Sequence, residues 1–118
     1  MSTDDLTIKD FRGYQQASLP NIDESLSRVG PETSCGEYLR RYWHPISLTS
    51  DVSETPKEIR ILGEDLVIFK TTKNNIGLVH KNCPHRRASL VYGKTEEKGI
   101  RCCYHGWLFS PDGEILET

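Results

Sequence analysis

Apolar positions in this 118-residue chain follow two periods, and the change between them falls at Pro45. Before it, Ser34-Cys35-Gly36-Glu37 has the form of a capping box, with Ser at the N-cap and Glu three residues on. Tyr38, Leu39, Tyr42 and Trp43 then recur at helical spacing. Pro45 stops the element, so one short helix is predicted over about 35–43. Tyr42 and Trp43 are expected to pack against the domain.

After Pro45 the period shortens to two. Glu58-Ile59-Arg60-Ile61 alternates as a half-buried strand does, and Gly63-Glu64-Asp65 reads as a turn. Leu66-Val67-Ile68-Phe69 is a continuous apolar strand, Thr71 to Asn75 a polar turn, and Ile76-Gly77-Leu78-Val79 a third strand. Two hairpins in succession make an antiparallel meander. Short strands are expected near Ile100–Arg101, Trp107–Phe109 and Ile115–Leu116, with Pro111-Asp112-Gly113 as the last turn. The predicted class is all-β with one N-terminal helix. Residues 1–33 are polar, punctuated by Gly13, Pro20, Gly30 and Pro31, and read as an arm or extended lead-in to a domain over 34–118.

Composition agrees with the strand bias and narrows the function. Ala occurs twice, whereas Val, Ile and Thr together fill 23 positions. A net charge of −2 argues against a general nucleic-acid or membrane-surface binder. No apolar run reaches membrane-spanning length, and the acidic start Met1-Ser2-Thr3-Asp4-Asp5 lacks the apolar core of a secretion signal. A cytoplasmic location is expected. Only 36% of the residues are apolar, and so lean a short chain is often braced by a disulfide, a metal or a partner. In a reducing compartment the four cysteines, Cys35, Cys83, Cys102 and Cys103, point to metal before disulfides.

Two stretches carry the candidate chemistry, Cys83-Pro84-His85-Arg86 and Cys102-Cys103-Tyr104-His105-Gly106-Trp107. Their spacing is C-x-H, 16 intervening residues, then C-x-x-H. Each lies between predicted strands and offers one thiolate and one imidazole. Such a set suits structural zinc, or a Rieske-type 2Fe–2S cluster in which two His replace two Cys on one iron. Zinc fingers usually open with a Cys pair and close with paired His on a helix. Here each loop carries one of each and no helix follows, which favours the cluster while leaving zinc open.

Cys83-Pro84-His85-Arg86 with Ala88, Leu90 and Gly93, followed by Cys102, Tyr104-His105-Gly106-Trp107, Phe109 and Gly113, closely resembles the Rieske domain of bacterial aromatic-ring-hydroxylating oxygenases. Upstream, Gly36-Glu37-Tyr38-Leu39-Arg40-Arg41-Tyr42-Trp43-His44-Pro45 and Leu62-Gly63-Glu64-Asp65-Leu66-Val67 look like the phthalate-dioxygenase branch. The likeness covers roughly residues 30–118. It implies the Rieske fold of small antiparallel sheets with two cluster-binding loops. It assigns Cys83 and Cys102 to one iron and His85 and His105 to the other. Cys103 stands where the family often has Pro and is expected not to ligate. Arg87 stands where the family usually has Gly, so a positive φ there would strain it.

The resemblance also bears on redox tuning. Respiratory Rieske proteins brace their two loops with a disulfide; the matching positions here are Ala88 and Tyr104. Their Ser and Tyr hydroxyls near the cluster are replaced by Trp107 and Phe109. Fewer hydrogen bonds to cluster sulfur predict a potential at the low end of the Rieske range, about −150 mV.

By the same resemblance, the cluster takes one electron from a reductase or ferredoxin. It passes it to a mononuclear Fe(II), held by two His and a carboxylate, that activates O₂. That iron is expected in a catalytic domain outside these residues. Full subunits are expected to form a homo-oligomeric ring in which a cluster serves its neighbour's iron. Electron transfer is the chemistry these residues can carry themselves. A stand-alone Rieske ferredoxin is the alternative, against which the segment Tyr38–Pro45 speaks, and a zinc-stabilised interaction module is a third. Arg86, Arg87, Lys94 and Arg101, with Lys81 near them, are either a docking surface for an acidic electron donor or an intersubunit contact, or else solvated charge. His44 reads as structural, and Cys35 as a buried or free thiol.

Overall fold

A computed structural model of the chain describes residues 21–118. The part of the expected arm that precedes residue 21 lies outside the described residues. In chain order come α1 (Glu24–Ser27), α2 (Ser34–Leu39), β1 (Lys57–Ile61), β2 (Glu64–Lys70), β3 (Ile76–His80), β4 (Lys94–Thr95), β5 (Ile100–Arg101), β6 (Leu108–Phe109) and β7 (Ile115–Glu117). The strands form two antiparallel sheets, β1-β2-β3 and β4-β5-β6-β7. This is the all-β architecture that the alternating pattern predicts.

The first sheet forms because the turn of its first hairpin suits the register of the strands it joins. Ile61 pairs with Glu64 across a two-residue loop, Leu62-Gly63, in which both residues have positive φ (49° and 75°). That geometry matches the right-handed twist of the strands it joins. The turn thus lies one residue earlier than Gly63-Glu64-Asp65. In β3 Ile76, Leu78 and His80 face out, while Gly77 and Val79 face the core. Gly77 pairs with Phe69, and the Phe69 ring occupies the space a Cβ would need.

The helix departs from expectation at both ends. Its N-cap is Thr33, whose hydroxyl accepts from the Gly36 amide; Glu37 reaches back to the Glu32 amide. Either hydroxyl of the adjacent pair Thr33 and Ser34 satisfies the capping pattern, and the earlier one does so here. The helix stops at Leu39, four residues short, and the chain continues in i→i+3 turns at Arg41 and Tyr42. His44 Nε2 lies 2.8 Å from the Leu39 carbonyl, so the imidazole takes up a helix-end acceptor, the structural role read for it.

Tyr42 and Trp43 do not pack inward. Trp43 is fully exposed, and Tyr42 meets Tyr38 edge-on with the two hydroxyls 3.0 Å apart. Helical spacing puts these rings on one side but says nothing about what covers that side. The Arg40 guanidinium donates to the Leu62 carbonyl at 3.0 Å and pairs with Glu64, holding α2 against the β1–β2 turn.

One core joins the sheets. Val67, Phe69, Val79, Leu90, Ile100 and Phe109 bury together with Cys83 and Cys102, and Ala88, Val91 and Trp107 pack against them. Among the described residues no helix is long and apolar enough to cross a membrane.

Candidate metal centre

The two cysteine–histidine stretches fold into loops of the same backbone form. The first follows β3 and is closed at its base by an isolated bridge between Asn82 and Ser89; the second connects β5 to β6. In the first, the Cys83 amide donates to the Ala88 carbonyl and the Arg87 amide to the Cys83 carbonyl, both at 2.8 Å. In the second, the Cys102 amide donates to the Trp107 carbonyl at 2.8 Å and the Gly106 amide to the Cys102 carbonyl at 3.2 Å. Each loop therefore turns back on its cysteine through the residue four positions on. That residue is left-handed in both, Arg87 at φ 65° and Gly106 at φ 80°. Glycine takes this conformation freely, whereas an L side chain meets its own carbonyl, at a cost of about 1–2 kcal/mol. The strain anticipated for Arg87 is present.

The shared turn places sulfur inward and imidazole outward. Cys83 and Cys102 are buried members of the core, whereas His85 and His105 are exposed. Burial pushes the Cys83 thiol up from its ordinary range. The His85 and Arg86 amides directed at its sulfur pull the other way, and the neighbouring Cys102 thiol adds to the rise. A buried thiol pair of this kind gives up its protons when a cation binds in their place, and amides aimed at sulfur suit a thiolate acceptor. The imidazoles meet edge to face with ring centroids 4.8 Å apart. Trp107 stacks on His85, and Tyr104 leans over His105 at 3.9 Å.

The donors thus come as two adjacent thiols and two adjacent imidazoles. Among the described residues no three His, Cys, Asp or Glu side chains converge on one point as a single ion requires. A four-coordinate zinc has no ready cage here. Two pairs, one soft and buried and one at the surface, fit a binuclear group whose metals take different ligands.

Cys35 and Cys103 stand apart as free thiols, Cys35 half-buried and Cys103 exposed on the second loop. The basic residues do not act as one set. Lys81 donates to Glu58 at 2.7 Å, and Arg101 is held between Glu96 and Glu117, while Arg86, Arg87 and Lys94 are exposed. Sequence reasoning missed the amides at the Cys83 sulfur and the stack between His85 and Trp107. The amides leave no side-chain signal, and the stack is a contact between segments distant in sequence.

Comparison with known proteins gives one family. A family model described as "Rieske [2Fe-2S] domain" matches residues 42–118. The chain is 48% identical over 111 residues to the oxygenase subunit of tert-butanol monooxygenase / tert-amyl alcohol desaturase from Aquincola tertiaricarbonis, covering 92% of this chain and 24% of that one. It is 45% identical over 101 residues to the phthalate 4,5-dioxygenase oxygenase subunit of Pseudomonas putida, covering 83% and 23%. The crystal structure of apo dicamba monooxygenase superposes with a TM-score of 0.63 at 28% identity, covering 68% of this chain and 25% of that one. The chain therefore spans about a quarter of the length of the curated relatives it matches.

Proposed function

This chain belongs to the Rieske [2Fe–2S] domain family, and we propose from that premise that it is the electron-relay domain of an oxygenase subunit. Cys83 and Cys102 hold one iron of the cluster and His85 and His105 the other. The observation that carries this reading is the pairing itself: two buried thiols side by side and two exposed imidazoles side by side, on loops of one backbone form.

When bound, a cluster of this kind supplies a one-electron couple. The chain's own residues set where that couple sits. The apolar core around Cys83 and Cys102 keeps water from the sulfur end. The exposed rings of His85 and His105 bring the other end to the surface, where a redox partner can approach within contact distance. Trp107 covers one face of the His85 ring and steadies its orientation.

The likeness to full-length oxygenase subunits supports the wider reading. A reductase or ferredoxin supplies the electron. A mononuclear Fe(II) centre in the catalytic domain of a neighbouring subunit, within a homo-oligomeric ring, receives it to activate O₂, and an aromatic compound is the substrate class. Residues 1–33 serve as the lead-in and 34–118 as the cluster domain, in a cytoplasmic protein.

The test is direct. The purified chain is expected to be coloured, to contain two irons and two sulfides, and to accept one electron, without hydroxylating an aromatic compound by itself. A colourless preparation with stoichiometric zinc overturns the cluster, and aromatic turnover by this chain alone overturns the relay role.

A further inference from the structure

The likeness between the two loops extends to the residue before each cysteine. Asn82 precedes Cys83, and its Nδ2 donates to the carbonyl of Arg87 at 3.0 Å. Arg101 precedes Cys102, and its Nη1 donates to the carbonyl of Gly106 at 2.7 Å. Both bonds run from the position before the cysteine to the left-handed residue four after it. Different side chains, an amide and a guanidinium, thus perform the same act on equivalent carbonyls.

The turn explains why a side chain is used. In each loop the amide of the left-handed residue is spent on the cysteine carbonyl, and the cysteine amide on the residue after it. The carbonyl of the left-handed residue receives no backbone amide among these bonds, which leaves it open to a side-chain donor. In each loop the side chain at the loop's entry supplies that bond.

Both donors are themselves anchored. Asn82 is fixed by its bridge to Ser89. Arg101 lies in β5, and its guanidinium also donates to both carboxylate oxygens of Glu96, at 2.8 and 3.0 Å, and to Glu117 at 2.9 Å. Glu96 follows β4 and Glu117 lies in β7, so the second loop is tied through one side chain to both edges of its sheet.

We propose that Asn82 and Arg101 are a matched pair of positioning residues, each locking the turn that aims the histidine of its own loop. His105 is bonded directly to Gly106, and His85 lies two residues before Arg87, so a carbonyl held in place fixes the peptide frame from which each imidazole projects. The proposal rests on the ligand reading above for its redox consequence, but not for the clamp itself.

Two measurements separate these layers. Amide hydrogen exchange on the chain reads the clamp with or without iron. Asn82→Ala is expected to speed exchange at the Arg87 amide about tenfold and leave Gly106 unchanged, and Arg101→Gln to do the reverse. Pulsed electron paramagnetic resonance on the reduced, ¹⁵N-histidine-labelled chain reads the imidazoles. Each variant is expected to shift one of two nitrogen couplings, a different one in each case, with iron content kept. Unchanged exchange in both variants overturns the clamp. Altered exchange with both couplings unmoved overturns the aiming role. Absence of two imidazole couplings in the parent chain overturns the ligand reading alone. Should Arg101→Gln not take up iron, Asn82→Ala decides by the same criteria, since that exposed amide bond is one the fold can lose.

Discussion

His85 and Trp107 lie face to face, with ring centroids 4.6 Å apart and planes only 9° from parallel. The contact runs between loops, from the first loop's imidazole to the residue five after Cys102. It is therefore a tertiary brace where no disulfide is present, as all four cysteines are free. A stacked pair of this kind contributes about 0.5–1.5 kcal/mol beyond its buried area. Trp107→Ala is expected to lower stability by about that amount or more and to shift the midpoint potential, while Trp107→Phe retains most of both. Thermal unfolding and redox titration check this. An alanine variant matching the parent in both measurements shows that the stack does nothing.

Arg87 offers the opposite experiment, a gain. Its φ of 65° suits glycine, and its carbonyl rather than its side chain takes part in the loop's hydrogen bonds. Arg87→Gly removes the strain but lets the unfolded chain roam more widely, so the net gain is about 0.5–1 kcal/mol. The expected result is a higher thermal midpoint with iron content and spectrum unchanged. A variant less stable than the parent means that the arginine side chain makes a contact worth more than the strain.

How far these features could be read beforehand depended on whether their cause was local. The strands β1, β2 and β3 were legible because Ile59, Val67 and Val79 sit in alternating or continuous apolar runs long enough to define a face. The two-residue strand β4, Lys94–Thr95, was not, since two residues carry no period; it exists because Ile100 and Arg101 pair with it. The helix was visible, but Ser34 read as its cap where Thr33 fills that place, because adjacent hydroxyls both satisfy the pattern. For the site, residue type and spacing made Cys83, His85, Cys102 and His105 candidates, the family resemblance, with its usual Gly, foretold the trouble at Arg87, and the two loops can in addition be aligned on their cysteines. The same alignment sets Asn82 beside Arg101, yet an amide and a guanidinium share no obvious pattern until both are seen bonding equivalent carbonyls. The stack of Trp107 on His85 depends on how two distant loops meet, which no local signal encodes.

Glu96 supplies a pH-dependent test of the Arg101 network. The hydrogen bond from Arg101 holds the Glu96 carboxyl below its ordinary value. A carboxylate whose folded pKa is depressed adds stability that is complete above its unfolded pKa, about 4.3. That stability is lost as pH falls through the lower, folded value. The difference in stability between the parent and Arg101→Gln is thus expected to be full near neutrality and to narrow on acidification. Carboxyl NMR titration should find Glu96 below the ordinary range in the parent and near it in the variant. A Glu96 that titrates at the same pH in both chains means that the pair seen here does not persist in solution.

The last prediction exchanges a proposed ligand. If His85 holds iron, His85→Cys leaves a third thiolate in a loop whose backbone bonds, between Cys83, Arg87 and Ala88, do not involve the histidine side chain. A cluster should still form, because thiolate is the commoner ligand for 2Fe–2S groups. Replacing a neutral imidazole by an anionic thiolate puts more negative charge on the cluster and disfavours the added electron. The potential should therefore drop from the low end of the Rieske range, about −150 mV, towards the plant-type ferredoxin value of about −400 mV. The visible spectrum should move with it. Loss of the His85 ring also removes the face on which Trp107 stacks, so some loss of stability is expected alongside. Trp107→Ala in the parent measures that part separately, since it removes the same stack while leaving the ligand. A His85→Cys variant that keeps the parent's potential and spectrum would falsify the assignment of His85 to iron.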